Sequence, residues 1–499
     1  MALVHAGLMV IIVDNFLRGA ARGSFLNRPR PRTLGQDMGK LDRRDFLKRS
    51  AGAAGGAVAG LTALNGFAAK AAAHELGPPE AEQGDGGYGR LRNAGPELQL
   101  PEGFEYRVLS VEDAVMSDGY VVPGKHDGMC AFPMPNGNIR LIRNHEVDLN
   151  PSLDVVAGDP TTAYDPGAGG GTTSLEVDPV TREVVRDFIS LNGTWRNCAG
   201  GPTPWDTWLS AEEAFFGEES GFGKPHGYIF EVPATREAAE YTEPLVEMGR
   251  FVHEAVAVDP ETGIVYETED HFRAGFYRFL PNQPYRDGNP GNLRAGGRLQ
   301  MLAIRNRGRY DTGKRQRVGR TLPTEWIDIL FPNPLGGPEV FKSVFNQGYA
   351  EGGAEFSRLE GCWYDSGRIY FVATDGGDRD LGQVWQFEPT GPDDGELTLI
   401  YECRNRGTLK RPDNLCISPN GAILLCEDAN MRRQYLRGLT KEGRVFDLVG
   451  CRIVEGELAG VTFSPDGKTM FCNTLGHPRR KPPPAMTFAI WGPWERGAV

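Results

Sequence analysis

The apolar positions of this chain fall into a phrase that recurs. Each copy has an acidic residue, a short apolar run, a turn of the Pro-x-Gly kind, and a second apolar run. Leu415-Cys416-Ile417-Ser418-Pro419-Asn420-Gly421 and Val461-Thr462-Phe463-Ser464-Pro465-Asp466-Gly467 are the clearest pair, and Cys426 and Cys472 repeat the offset between Ser418 and Ser464. Further copies cover residues 129–139, 256–266 and 361–371, with a looser one at 173–188. Every copy predicts two antiparallel strands joined by a tight turn. Apolar segments at 227–232, 275–280 and 383–388 supply outer strands. A spacing of roughly 40–50 residues matches one four-stranded propeller blade. The expected fold is therefore all-β: one β-propeller of five to seven blades, six by preference, over residues 101–499. Loops inserted on one face, the largest at 281–350, account for the wider gaps between copies. A pair of β-sandwiches is the second choice.

Composition agrees with short strands and many turns, because 66 Gly and 36 Pro punctuate 499 residues. The net charge of -12, with no long basic run in the body, argues against nucleic acid as a partner. Residues 74–100 are rich in Gly, Pro and Glu and are expected to form an extended lead-in. Before them, residues 1–73 read as an export signal. Lys40-Leu41-Asp42-Arg43-Arg44-Asp45-Phe46-Leu47-Lys48-Arg49 carries a twin arginine. An Ala/Gly-rich, weakly apolar run follows, and Ala71-Ala72-Ala73 offers a cleavage site before His74. That run is too feebly hydrophobic for a stable membrane span. Met38 would give a more ordinary signal length. The expected address is periplasmic or extracellular, reached through the twin-arginine translocase, and a monomer is the expected state.

Candidate chemistry centres on residues 192–213. Cys198 stands directly before Ala199-Gly200-Gly201-Pro202-Thr203-Pro204, and the stretch ends on Glu212 and Glu213. Two glycines and two prolines predict a rigid loop, walled by Trp195, Trp205 and Trp208. A thiol with two carboxylates makes a metal half-site, and thiolate is a soft ligand that favours a transition metal. The competing reading is a buried free cysteine in a core loop. The other seven cysteines show no CxxC pair and sit in strand-like contexts, as core thiols or disulfide halves.

Acidic residues fall at matching places in the repeat. Asp127, Glu254, Glu360, Asp413 and Glu457 each stand at the start of a first strand, which in a propeller lines the central channel. Glu146, Glu269-Asp270, Asp375 and Glu427-Asp428 close second strands, at the same rim or at the opposite one. Carboxylates converging in a channel cannot all stay ionised unless cations join them. Hard oxygen ligands suit calcium or magnesium; a nearby thiolate suits iron, zinc or copper. Taken singly, each acid is an ordinary solvated turn residue. Arg358 lies two residues before Glu360, on the same side of an extended segment. A guanidinium there can clamp a phosphate or carboxylate, or simply pair with Glu360. His253 beside Glu254 is the one histidine of interest. The glycine-rich 167–171 loop lacks a P-loop lysine, and neither a Gly-x-Ser-x-Gly elbow nor a His-Glu-x-x-His motif occurs.

Together these motifs resemble the PhoX-type alkaline phosphatases. The matching stretches are Asp127-Gly128-Met129, Asn144-His145-Glu146, Gly170-Gly171-Thr172-Thr173, Asn197-Cys198-Ala199-Gly200-Gly201-Pro202-Thr203-Pro204-Trp205, Glu212-Glu213, His253-Glu254-Ala255, Arg358-Leu359-Glu360-Gly361, Asp413-Asn414, Glu457-Leu458-Ala459-Gly460-Val461 and Gly492-Pro493-Trp494. The resemblance implies a six-bladed propeller with two iron ions and calcium around a bridging oxygen. It implies Cys198 as an iron ligand, Glu213, Glu254 and Glu360 as further metal ligands, and Glu146, Asp413 and Glu457 as calcium candidates. Arg358 becomes the group that holds the phosphate. No residue is matched to a catalytic lysine. The implied reaction is metal-assisted hydrolysis of phosphate monoesters. A calcium-dependent propeller lactonase or esterase, and a periplasmic scaffold that binds a protein partner, are the rival readings.

Overall fold

The computed structural model describes residues 83–84, 86–147, 155–336, 340–428, 433–453, 457–476 and 483–499. The export signal expected within 1–73 lies outside them. The fold is all-β and propeller-like, and the strands fall into six consecutive antiparallel groups. Group one is His126–Pro133, Ile139–His145, Gly170–Val177 and Val184–Thr194. Group two has three strands, Asn197–Pro202, Thr207–Glu212 and Ile229–Pro233. Group three runs from His253–Val258 and Val265–Glu269 to Thr321–Asp328. Group four begins with Leu359–Asp365 and Arg368–Ala373, and ends with Gly395–Glu402. Groups three and four share one nine-stranded sheet, because Thr321–Asp328 pairs with Gly395–Glu402. The tally of blades depends on whether that sheet is divided there.

Group five begins with Pro412–Ile417 and Ile423–Glu427. Its outer edge takes Leu98–Leu100 and Arg92–Asn93, so the expected lead-in adds two short strands to the sheet. Group six is Leu458–Phe463, Thr469–Thr474, Met486–Trp491 and, from far upstream, Glu105–Val111. The six first strands lie side by side in chain order, and the last lies against the first, closing a ring. Their alternation explains the packing. Apolar positions such as Val256, Phe371, Leu424 and Phe471 are buried between neighbouring groups. The polar residues at the strand starts are also buried, and they line the ring instead.

Every first hairpin breaks register close to its start. The shifts fall between His126 and Met129, His253 and Val256, Leu359 and Cys362, Pro412 and Leu415, and Ala459 and Thr462, with the matching shift in group two opposite Asn197–Gly200. A bulge adds a residue to one strand and re-aims its side chain. The same amide closes each bulge. Glu146, Glu213, Asp270, Thr374, Asp428 and Leu475 donate their backbone N–H to the carbonyls of Lys125, Arg196, Val252, Arg358, Arg411 and Glu457, at 2.9–3.1 Å. The ring is thus a sixfold repeat of one local structure.

Residues 281–350 hold the one α-helix among the described residues, Ser343–Ala350. All eight cysteines are buried free thiols, so none is a disulfide half. No helix among the described residues is long and apolar enough to cross a membrane.

Candidate metal centre

Five of the six bulges present a ligand-type side chain to the ring. Asp127, Cys198, Glu254, Glu360 and Asp413 occupy the second position of their first strands, and Glu457 directly precedes the sixth. The residue after each of those five second positions is small or polar, because the next first strand passes close by. A Cβ on Gly361 would lie 2.6 Å from the amide nitrogen of Leu415, too close to be allowed. Neighbouring groups are tied together at this level. Asn144 donates to the Ala199 carbonyl at 2.6 Å, Thr268 to the Glu360 carbonyl at 2.7 Å, and Asn473 to the Asp127 carbonyl at 2.5 Å. These bonds fix the bulge backbones and therefore the side chains that leave them.

A second row sits at the ends of the second strands, on the same rim. It consists of Glu146, Glu213, Asp270, Asp375 and Asp428. Between the rows stand cations, each two residues before a ring residue: Lys125, Arg196, Arg358 and Arg411. All four are left-handed, with φ of 55°, 48°, 49° and 47°. Such backbone costs a non-glycine residue about 1–3 kcal/mol, and persists where the surroundings over-determine it. The three arginines also share a pairing rule, since each reaches the second-row acid of the preceding group. Arg196 binds Glu146 at 2.7 Å, Arg358 holds Asp270 through two bonds of 2.9 and 2.8 Å, and Arg411 meets Asp375 at 3.2 Å. Arg196 also reaches Glu213 at 3.2 Å, and Arg358 reaches Glu360 at 2.6 Å. The last contact agrees with placing Arg358 and Glu360 on one side.

The electrostatics are those of a crowded acid site. Burial, then the neighbouring carboxylates, push the Asp127, Glu254, Glu360 and Glu457 carboxyls well above their ordinary range. Glu213 is pushed up by burial despite the opposing Arg196 charge. Asp413 is brought up to about 7 by burial and the Asp428 charge. Burial and the surrounding acids raise the Cys198 thiol as well. Its Sγ donates to Asp127 at 3.3 Å and to Glu254 at 3.4 Å. Two sets of three donors converge, Glu146 with Cys198 and Glu213, and Glu254 with Glu360 and Asp413, with ligand atoms in each set within 4.8 Å of one another. Glu254 Oε2 is buried with no hydrogen-bond partner. Buried oxygens without N–H donors, together with a soft sulfur and several hard carboxylates, fit bound multivalent cations.

Each ligand candidate read from sequence can now be located. Cys198, Glu213 and Glu146 form one set, and Glu254, Glu360 and Asp413 the other. Glu457 lies outside both and shares a hydrogen bond with Asp413. Four expectations change. The Cys198 stretch is a strand, Asn197–Pro202, rather than a loop. Its glycines serve close packing, for a Cβ on Gly201 would lie 1.9 Å from the Val256 carbonyl oxygen. Glu212 turns away from the half-site, accepting bonds from the Trp195, Gly227 and Tyr228 amides and from His226 at 2.7 Å. Burial works against a charge on His226, but the Glu212 and Asp165 carboxylates outweigh it and bring its pKa up to about 9. Finally, Trp205 sits in the hairpin turn stacked on Tyr285, while Trp208 bonds Asn144 at 2.8 Å. His253 turns to Gly249 and Glu267, not to the ring. The sequence reading missed Arg196 and Arg411. A cation two residues before an acid or thiol, repeated in the phrase, was the available signal.

The family model for alkaline phosphatase PhoX matches residues 87–478, most of the chain. The chain belongs to the PhoX alkaline phosphatase family. Among solved structures it is similar to Pseudomonas fluorescens PhoX in complex with vanadate, a transition state analogue. Identity to that protein is 17%, the TM-score is 0.63, and the match covers 82% of this chain and 98% of that one. Identity this low carries the fold alone. A gluconolactonase from Xanthomonas campestris also matches, at 11% identity and a TM-score of 0.39, over 81% of this chain and 99% of that one. That likeness is too distant to carry an argument. No curated protein sequence matches at a significant level. Membership of the PhoX family gives the coarse activity, a phosphatase.

Proposed function

We propose that the protein is an exported phosphate monoester hydrolase that holds two iron ions and calcium in the propeller ring. Residues 1–73 would serve as the twin-arginine signal, and residues 101–499 as the catalytic unit. The observation that carries the reading is the pair of three-donor sets around Cys198 and Glu254. Cys198, with Glu146 and Glu213, would hold an ion on the soft side, which suits iron. Glu254, Glu360 and Asp413 would hold ions on the harder side, joined by Glu457. When bound, such cations polarise phosphoryl oxygens and supply an activated oxygen nucleophile at mild pH.

The chain's own residues do the rest. Arg358 is fixed by its two bonds to Asp270, and its Nη1 makes no bond to the described residues. A guanidinium held this way can meet a phosphoryl group without reorganising and balance the charge that builds up on it. Burial favours neutral Arg358, but Glu360 and Asp270 outweigh it and raise its pKa further, so the charge is permanent. The bulge carbonyls, clamped by Asn144, Thr268 and Asn473, keep the ring residues from moving apart.

Elemental analysis of protein purified from the exported fraction without chelator tests this. About two irons with calcium per chain are expected. Calcium without iron would favour a lactonase, and absence of metal would overturn the proposal. Cys198→Ala should lose iron and activity together. Arg358→Ala should keep its metal and lose about two to three orders of magnitude in turnover.

A further inference from the structure

Above the second-row acids the rim is not uniformly polar. Phe215 follows Glu213 by two residues, and His271 and Phe272 follow Asp270 directly. Phe341, from the long insertion, closes the space between them. Its ring lies 5.6 Å from Phe215 at 69° and 5.3 Å from His271 at 67°. Phe272 continues the row at 5.9 Å from His271 and is 72% exposed. Phe215, His271 and Phe341 are each half-buried, so the cluster keeps one open side.

The Phe215 ring is braced from behind, and the backbone at Phe341 and His271 is anchored. Arg250 stacks on Phe215 at 4.1 Å, and its guanidinium donates to the Pro334, His226 and Phe216 carbonyls at 2.9, 3.0 and 2.5 Å. The ion pair of Lys342 with Glu269 anchors the residue next to Phe341. The His271 carbonyl accepts the backbone N–H of Arg358 at 2.8 Å. The shelf is therefore coupled to the arginine assigned to the phosphoryl group, and the carboxylate pinning that arginine is the residue before His271.

We infer that Phe215, His271 and Phe341 form the leaving-group subsite of this active site, taking a flat aryl or heteroaryl alcohol part of a phosphate monoester. This rests on the phosphatase reading above. Edge-to-face rings present faces and edges that suit a planar group better than a flexible chain. Rigid backing means that little ordering is left to be done when the ester binds.

The test compares an aryl ester, 4-nitrophenyl phosphate, with glycerol 2-phosphate on the metal-loaded full chain. The ratio of their kcat/KM values cancels the intrinsic reactivity of each ester when a variant is divided by the parent. Phe341→Ala and Phe215→Ala should each lower that ratio about 3- to 10-fold, through KM. Phe341→Trp should keep it. An unchanged ratio, or equal losses on both esters, would overturn the inference. Should the parent hydrolyse neither ester, the phosphatase reading fails and the shelf is judged by binding instead. Calorimetry would then compare phenylphosphonate with methylphosphonate. Tighter phenylphosphonate binding that Phe341→Ala abolishes supports the shelf, and equal binding of the two overturns it.

Discussion

Asp413 and Asp466 lie at opposite ends of neighbouring hairpins and carry opposite electrostatics. Asp466, in the turn of group six, accepts the Ser464 hydroxyl at 2.6 Å and the Lys468 amide at 3.1 Å. Slight burial works the other way, yet these donors hold its carboxyl below the usual range. Asp178, in another turn, is held down mainly by the Thr181 and Val180 amides. Asp413, at the ring end, is buried among other acids and raised to about 7. The turn acids have been satisfied by the chain's own N–H groups. The ring acids are met only in part: Asp413 accepts the Asn414 side-chain amide at 2.9 Å and Glu360 the Arg358 guanidinium at 2.6 Å, while Glu254 Oε2 has no partner among the described residues. The same residue type is held ionised by local donors at one end of the hairpin and is crowded among like groups at the other.

The strongest way to break this contrast is Glu360→Gln. In the loaded enzyme it should cut metal affinity at least about tenfold and turnover about a hundredfold, read by metal titration and ester kinetics. In chelated protein the same change should raise the melting temperature at alkaline pH, because it removes a carboxyl whose ionisation is opposed by burial and by its acidic neighbours. A destabilised chelated variant would contradict the picture. Next comes pH. Ion-free folded protein binds the Asp413 proton more tightly than the unfolded chain does. The resulting stabilisation is fully present below the ordinary value of 3.8 and is lost as pH rises through about 7. Chelated protein should therefore melt at lower temperature as pH climbs across that window, and the slope should vanish on reloading metal. The smallest effect belongs to Asp466→Ala, which should cost at most about 1 kcal/mol in denaturant unfolding and leave metal content intact.

The ring acids were legible because they recur at one point of a repeated phrase. Asp127, Glu254, Glu360 and Asp413 could be found by phase alone; Glu457 stands two residues early, at the place that Arg358 and Arg411 hold in their groups. Cys198 was found as chemistry, but its Gly-Gly-Pro context was read as a loop. Glycine demanded by a close neighbour across the ring looks, in sequence, like glycine demanded by a turn. At the ends of the second strands, sequence offered adjacent acids and no way to choose between them. The structure chooses by alternation. Asp270 goes to Arg358 and Glu269 to Lys342, whereas Glu213 faces the ring and Glu212 faces His226. The arginine pairs join residues 50 and 88 positions apart, and left-handed backbone leaves no mark on residue type. Neither could be read from a local pattern.

One feature of the ring governs the order in which it is built. The strand Glu105–Val111, made early, has its partner Met486–Trp491 near the other end of the chain, and Asn473 clamps the Asp127 carbonyl across 346 positions. These contacts are among the most distant in sequence, so their loop-closure entropy makes them slow to form. Until group six arrives, Asp127 has no clamp and Glu457 is missing from its place beside Asp413. A chain stalled before group six would thus carry the residues of both three-donor sets in a ring that is still open.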